Sequence, residues 1–167
     1  DVDLPLACGE RLQTDAGIVS KGLAGLVSVA MRMEMKSGIN GCRLIEDYYN
    51  SDPGSLGMAI EYLKTRRNNK ATLILSDFIQ TGRESRELYG EVSDLVKRSG
   101  IERFIGIGPD LAANSALFTG DAKFYRSTDE FILNFTQSAF SDETILLKGA
   151  RKFEFEKISK LLERQVH

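Results

Sequence analysis

Apolar and polar residues alternate along the chain with strand-like and helix-like periods from about residue 31 onward. The segment MRMEMK (31–36) alternates strictly, which predicts a half-exposed strand, and SGING (37–41) turns it into the strand CRLIE (42–46). Later apolar runs predict strands over 71–76, 103–108, 122–126 and 144–148. Helical periods predict helices over 53–66, 84–99, 129–138 and 153–165, and one that begins at Pro109 and ends near Phe118.

Two of these helices begin with recognisable capping signals. Asp52 precedes the helix 53–66, and Pro53 occupies its first turn, where no amide hydrogen is needed. Thr81 and Glu84 predict a capping box for the helix 84–99. The helices therefore have defined starts, which places the connecting loops at the ends of the strands.

Repeated strand–helix units predict an α/β, Rossmann-like, three-layer domain with a mostly parallel sheet of about six strands and helices on both faces. The strand 31–36 is expected at one edge of the sheet, antiparallel to its neighbour. Residues 1–29 contain a weaker helical pattern that three glycines interrupt. We interpret 1–29 as a helical remnant of a preceding domain and 30–167 as the domain itself.

Composition excludes several classes of function. The 167 residues are 42% hydrophobic with a net charge of −2, which suits an ordinary globular domain and argues against nucleic-acid binding. No apolar run approaches the ~20 residues of a membrane span, and two cysteines are too few for a disulfide framework, so a cytoplasmic setting is expected. The one histidine is the last residue, which argues against histidine-based catalysis and histidine-ligated metals.

Three polar loops are predicted to leave the sheet at the edge where parallel strands end and ligands bind: 46–53, 76–83 and 148–152. In the first loop, the Asp47 carboxylate suits a ribose diol and the Asn50 amide suits an adenine edge. The second loop places Asp77 at a strand end, where a carboxylate that bonds its own turn is the competing interpretation. The third surrounds Gly149 with the cations Lys148, Arg151 and Lys152, which predicts an anion site unless the loop is only solvated.

Several further patterns limit the interpretation. The segment GIGPDL (106–111) begins like a dinucleotide loop but lacks the third glycine, and no phosphate-binding G-x-x-x-x-G-K-[ST] motif occurs. Two alternatives remain open: a phospho-receiver switch domain built around Asp77, and a stand-alone nucleotide-binding module without chemistry. Labelling of Asp77 by small phosphoryl donors would favour the receiver.

Four segments carry a family resemblance: RME (32–34), LIEDYYNSDPGSL (44–56), LILSDFIQTG (73–82) and ILLKGARKFEFEKISKLLE (145–163). In this order and spacing they resemble the C-terminal domain of the Mur ligases, in particular the branch that joins D-alanyl-D-alanine to UDP-N-acetylmuramoyl-tripeptide. Four residues depart from the family pattern. Glu46 replaces an aspartate, Tyr48 a serine, Ser76 a glycine and Ala150 the serine of K-G-S-R.

The resemblance implies an ATP-dependent ligase of peptidoglycan biosynthesis, in which this domain closes over ATP bound on a central domain. The catalytic magnesium ions and the phosphate loop would lie on that central domain. This chain would then contain no catalytic residue and would be inactive by itself. The resemblance implies that the nucleotide would be contacted by Arg32, Asp47 and Asn50. The substrate side would be contacted by Asp77, Lys148, Gly149 and Arg151. Some members carry an alanine racemase after this domain, and the chain end LLERQVH is compatible with that arrangement.

Overall fold

The computed structural model of this protein describes residues 33–48 and 52–164, all of which belong to one unit, Met33–His167. The predicted helical remnant 1–29 lies outside the described residues. So do two of the predicted nucleotide contacts, Arg32 and Asn50.

Six strands form a single sheet in which only one pair of neighbours is antiparallel. In chain order the strands are β1 Glu34–Ser37, β2 Arg43–Asp47, β3 Lys70–Ser76, β4 Arg103–Ile107, β5 Asp121–Tyr125 and β6 Glu143–Lys148. Their order across the sheet is β1-β2-β6-β3-β4-β5, with β1 antiparallel to β2 and all other pairs parallel. The predicted α/β class, strand number and antiparallel edge strand are confirmed.

Helices connect the parallel strands. They are α1 Pro53–Arg66, α2 Ser85–Arg98, α3 Pro109–Ala113, α4 Thr128–Leu133 and α5 Glu156–Leu162. Short 3-10 turns occupy Ile39–Gly41, Ser115–Leu117, Gln137–Ala139 and Arg151–Phe153. Among the helices in the described part of the chain, none combines the length and the apolar character needed to cross a bilayer.

Three helices are shorter than the sequence pattern predicts. An asparagine directly follows each of α3 and α4, at Asn114 and Asn134, and its side-chain amide donates a hydrogen bond to the carbonyl four residues earlier. These local bonds compete with continuation of the helix. The helix α5 begins only at Glu156 because Glu154 adopts a left-handed conformation with φ of 54°.

Helix starts agree with the prediction in one case and correct it in the other. At α1, the Asp52 carboxylate accepts a hydrogen bond from the Ser55 amide, and the Ser55 hydroxyl oxygen accepts one from the Asp52 amide. The predicted cap is therefore confirmed. The predicted capping box of α2 is wrong. Glu84 itself occupies the cap position and accepts from the amides of Arg86 and Glu87, because its longer side chain can fold back onto the first turn.

Alternating strand residues fill two apolar layers. One layer packs β-strand residues against α4 and α5, with Leu44, Ile74, Ile105, Ile145, Leu147, Phe131, Ile158 and Leu162 buried together. The intervening strand residues face the other layer, where α1 and α2 bury Leu56, Ile60, Leu63, Leu88 and Val92. Each such side chain contributes about 1.5–3 kcal/mol on burial, which holds the strand ends in a fixed relation.

Candidate functional site

The carboxyl ends of β2, β6 and β3 lie side by side, which brings the three predicted loops to one edge of the sheet. In the strand register Asp47 is opposite Lys148, and Lys148 is in turn opposite Leu75, one residue before Ser76. The chain therefore leaves β2 and β6 at adjacent points of this edge. The register thus places an acidic side chain, Asp47, beside a cationic one, Lys148, at this edge.

Asp47 and Lys148 form a fully buried ion pair at this edge. The Lys148 Nζ lies 3.0 Å from Asp47 Oδ2, and both side chains are 0% exposed. The approach is close but not aligned as a hydrogen bond, and neither Asp47 oxygen has an aligned donor among the described residues. Burial raises the pKa of the Asp47 carboxyl and lowers the pKa of the Lys148 ammonium, while the attraction between the two charges opposes both shifts.

Asp77 fastens the end of β3 to the start of α3. Its Oδ2 accepts from the Asp110 amide at 2.9 Å, and its Oδ1 accepts from the Leu111 amide at 2.8 Å. Gly108 has a φ of 139°, and a Cβ at this position would overlap the Asp77 carboxylate. Burial raises the pKa of Asp77, against the two amide bonds that lower it. Asp77 thus bonds the backbone of the neighbouring loop, and its predicted substrate contact stays a prediction.

The third predicted loop has one buried cation and two exposed ones. Gly149 is pressed against the Phe155 ring, since a Cβ there would lie 2.7 Å from a ring carbon. The Ala150 amide donates to Ser76 Oγ at 2.8 Å, which ties the loop to the end of β3. Beyond this anchor, Arg151 and Lys152 are exposed. The start of the loop is anchored by these two contacts, and its outer cations are exposed.

A second polar cluster was not identified from the sequence. Glu46 is buried, pairs with Lys36 at 3.1 Å, and accepts hydrogen bonds from Tyr48 and Ser159 hydroxyls. Burial, with the neighbouring Glu46 charge, raises the pKa of Tyr48 to about 12. A signal was present in the strand pattern: Glu46 shares the inward face with Leu44, so its carboxylate required partners.

The acidic side chains of the described residues form no metal site. Within residues 33–48 and 52–164, no group of three or more His, Cys, Asp or Glu side chains is arranged to hold a metal ion. The acidic residues at the site edge are individually engaged, Asp47 by Lys148 and Asp77 by the amides of α3.

Comparison with known proteins identifies the family. The family described as Mur ligase, glutamate ligase domain, matches residues 31–151, which is more than half of the chain. The chain belongs to the Mur ligase family. The resemblance predicted from the sequence is confirmed, and the matched stretch contains Asp47, Asp77, Lys148 and Arg151.

Relatives of this Mur ligase domain share one name, UDP-N-acetylmuramoyl-tripeptide–D-alanyl-D-alanine ligase. The chain is 29% identical to that of Rickettsia prowazekii over 88% of its own length and 33% of the relative. It is 27% identical to that of Bacillus subtilis over 84% of its length and 32% of the relative. The chain therefore spans about one third of the length of the curated relatives that it matches.

Solved structures show the same fold. MurF from Acinetobacter baumannii superposes with a TM-score of 0.64 at 21% identity, covering 78% of this chain and 29% of that one. MurF from Thermotoga maritima, solved in complex with ADP, gives a TM-score of 0.62 at 15% identity, covering 78% and 30%. At these identities the superpositions establish the fold of the Mur ligase domain.

Proposed function

We propose that this domain is the C-terminal, ATP- and substrate-closing part of a cytoplasmic ligase that joins D-alanyl-D-alanine to UDP-N-acetylmuramoyl-tripeptide. The proposal is supported by the relatives, which carry the name of that reaction. It rests on one structural observation: the Asp47 carboxylate, at the shared strand edge, is buried and lacks an aligned donor among the described residues. Such a carboxylate has capacity to accept hydroxyl hydrogen bonds.

For the nucleotide, Asp47 accepts the ribose hydroxyls, Asn50 lies beside adenine, and Arg32 approaches the nucleotide from across the domain cleft. Asp47 fits the ribose role because it ends β2 at the edge where ligands of parallel sheets bind. The adenine and cleft assignments follow from the family pattern and concern residues outside the described part of the chain. A solved relative binds ADP, which is consistent with a nucleotide substrate.

For the incoming dipeptide, the loop of Lys148, Gly149 and Arg151 faces the substrate side together with Asp77. Arg151 is exposed at the start of a 3-10 turn, and a guanidinium can bind a carboxylate through two parallel hydrogen bonds. Gly149 fits because its backbone must lie against the Phe155 ring to bring the loop to this position.

The proposed reaction has two steps. The γ-phosphoryl group of ATP passes to the tripeptide carboxylate, and the amine of the dipeptide then attacks the acyl phosphate and releases phosphate. The phosphate loop and the magnesium ligands belong to a central domain, and a further domain holds the UDP-sugar peptide. Residues of this domain act by binding and orienting the nucleoside and the dipeptide.

The test is Asp47→Ala in the intact ligase. A charge-assisted ribose contact is worth roughly 1.5–3 kcal/mol, so KM for ATP should rise roughly 10- to 100-fold. Glu61→Ala, an exposed carboxylate on α1, is the matched control and should leave this constant unchanged. An Asp47→Ala enzyme with the normal KM for ATP would show that Asp47 does not hold the ribose.

The two alternatives make different predictions. A receiver domain needs an accessible aspartate, whereas Asp77 is 3% exposed with both oxygens bonded to amides. We therefore expect no covalent labelling of Asp77 by acetyl phosphate, and labelling would favour the receiver. A stand-alone module is distinguished by gene context, because a G-K-[ST] phosphate loop encoded upstream in the same reading frame is expected only for the ligase.

A further inference from the structure

The ion pair between Asp47 and Lys148 connects the ends of two strands. Under the proposed function, the loop after one strand binds the nucleoside and the loop after the other binds the dipeptide. Asp47 ends β2, in the loop assigned to the nucleoside, and Lys148 ends β6, in the loop assigned to the dipeptide. The two residues are opposite each other in the register and are completely buried. A buried ion pair is weak evidence for stability, because apolar replacements are often as stable. A role in the site explains it better.

Lys148 is poorly placed to bind a free carboxylate. Its Nζ already lies 3.0 Å from Asp47 Oδ2, so its charge is engaged by a carboxylate of the protein itself. The chain cannot easily move the ammonium outward, because Gly149 is packed on Phe155 and the Ala150 amide is bonded to Ser76 Oγ. The exposed Arg151, three residues later, is better placed to bind the dipeptide carboxylate.

Asp47, in contrast, depends on Lys148 for its charge. Burial disfavours the ionised carboxylate, and no described residue gives either oxygen an aligned hydrogen bond. The Lys148 ammonium is the close positive charge at one oxygen, Oδ2, which leaves Oδ1 available. A carboxylate held in this way accepts hydroxyl hydrogen bonds more strongly than a neutral carboxyl group would.

We propose that Lys148 is a positioning residue for the nucleoside, which keeps Asp47 ionised and oriented toward the ribose, and that it does not bind the dipeptide. This inference rests on the proposed function of Asp47 as the ribose acceptor. It changes the assignment of Lys148 from the substrate loop to the nucleotide site. It also links the two loops physically, since the same residue that begins the dipeptide loop sets the state of the ribose acceptor.

The test compares ATP with 2′,3′-dideoxy-ATP in the intact ligase, using the ratio of their KM values. In the unmodified enzyme the ratio should be about tenfold or more, because the analogue lacks the hydroxyls that Asp47 accepts. Lys148→Met should lower this ratio toward one, as Asp47→Asn is also expected to do because a neutral amide oxygen accepts more weakly than a carboxylate. The KM for D-alanyl-D-alanine should change less than about twofold. Lys157→Met, an exposed lysine of α5, should keep the ratio of the unmodified enzyme.

Several outcomes would overturn the inference. If Lys148→Met keeps a high ratio while Asp47→Asn loses it, Lys148 does not act through Asp47. A tenfold rise in KM for the dipeptide with an unchanged nucleotide ratio would return Lys148 to the dipeptide site. A ratio near one in the unmodified enzyme would instead reject the ribose role of Asp47, and so the two failures are distinguishable.

A double variant keeps the test decisive if Lys148→Met alone does not fold. Asp47→Asn combined with Lys148→Met removes both charges, which avoids leaving one ion buried without its partner. Because Lys148 acts only through Asp47, the double variant should match Asp47→Asn in KM for ATP within about twofold. A further tenfold rise in the double variant would show that Lys148 contacts the nucleotide directly and would overturn the inference.

Discussion

At the scale of single residues, the buried carboxylates of the domain differ in how their oxygens are engaged. Glu46 and Asp77 have their oxygens occupied by protein donors, from Lys36, Tyr48 and Ser159 in one case and from backbone amides in the other. Asp47 lies beside the Lys148 ammonium, and neither of its oxygens has an aligned donor among the residues that the structure describes. Satisfied carboxylates stabilise the fold, whereas a carboxylate with spare acceptor capacity is suited to a ligand.

Removing Glu46 should destabilise the domain. Glu46→Ala leaves the Ser159 and Tyr48 hydroxyls without their acceptor and removes a partner of Lys36, so the free energy of unfolding should fall by about 2–3 kcal/mol. Urea unfolding measures this loss, provided that the dependence of the unfolding free energy on urea concentration is the same in both proteins. The matched control is Glu163→Ala, which removes the other, more exposed partner of Lys36 and should cost less than about 1 kcal/mol. Equal losses would contradict the structural role of Glu46.

Asp77 should be equally sensitive to a conservative change. Asp77→Asn replaces one acceptor oxygen with an amide group that faces a backbone donor, at Asp110 or Leu111. We expect a loss of about 1.5–3 kcal/mol in unfolding free energy, because a buried donor loses a charge-assisted bond. Thermal unfolding provides the measurement. Asp110→Asn, at an exposed side chain of the same turn, should change the midpoint little, and a comparable shift there would refute the assignment.

At the scale of elements, the loop after β6 is shaped by close packing on α5 and β3. The Gly149 backbone touches the Phe155 ring, and the Ala150 amide reaches Ser76 on the neighbouring strand. These two contacts fix the path of the chain from Lys148 at the end of β6 to Arg151. The element therefore separates an inward-facing cation from an outward-facing one within four residues.

Gly149→Ala is expected to disturb this element. The added methyl group would meet the Phe155 ring at 2.7 Å, and such overpacking typically costs about 1–3 kcal/mol. Gly90→Ala provides the contrast, because no atom lies within 4 Å of a Cβ at that position of α2, and it should stabilise by about 0.5–1 kcal/mol. Combining Gly149→Ala with Phe155→Leu should recover part of the loss. Chemical unfolding of the three variants tests the opposite signs.

At the scale of the whole molecule, the domain corresponds to one part of longer relatives. The chain spans about one third of its curated relatives, and the family match covers its described sheet from β1 to β6. At one edge of that sheet lie the buried Asp47 carboxylate and the exposed cations Arg151 and Lys152. Under the proposed function, the phosphate-binding part of the site comes from another domain.

Residues 1–167 alone should therefore be inert toward ATP. We expect no hydrolysis above the background of the buffer, and only weak ATP binding, because one wall of the proposed cleft is missing. Phosphate release by the purified chain measures the first expectation, with Asp47→Ala as the control for contamination. Hydrolysis by the unmodified chain that Asp47→Ala abolishes would show that this domain carries a complete active site.

The sequence alone was sufficient for the order of elements, the fold class and the family. Strand and helix periods, the Asp52–Pro53 start of α1 and four spaced motifs report local preference and burial, which act over a few residues. The ends of α3 and α4 before Asn114 and Asn134, and the start of α5 after Glu154, were predicted poorly because single side-chain bonds and one left-handed residue decide them.

Only the tertiary structure decided which polar side chains are partners. Asp47 and Lys148 are about a hundred positions apart in the chain and meet because β6 inserts between β2 and β3. The bonds from Asp77 to α3 and from Glu46 to Ser159 arise in the same way. Strand order is set by long-range packing, and a pattern of local periods contains no information on which strand lies next to which.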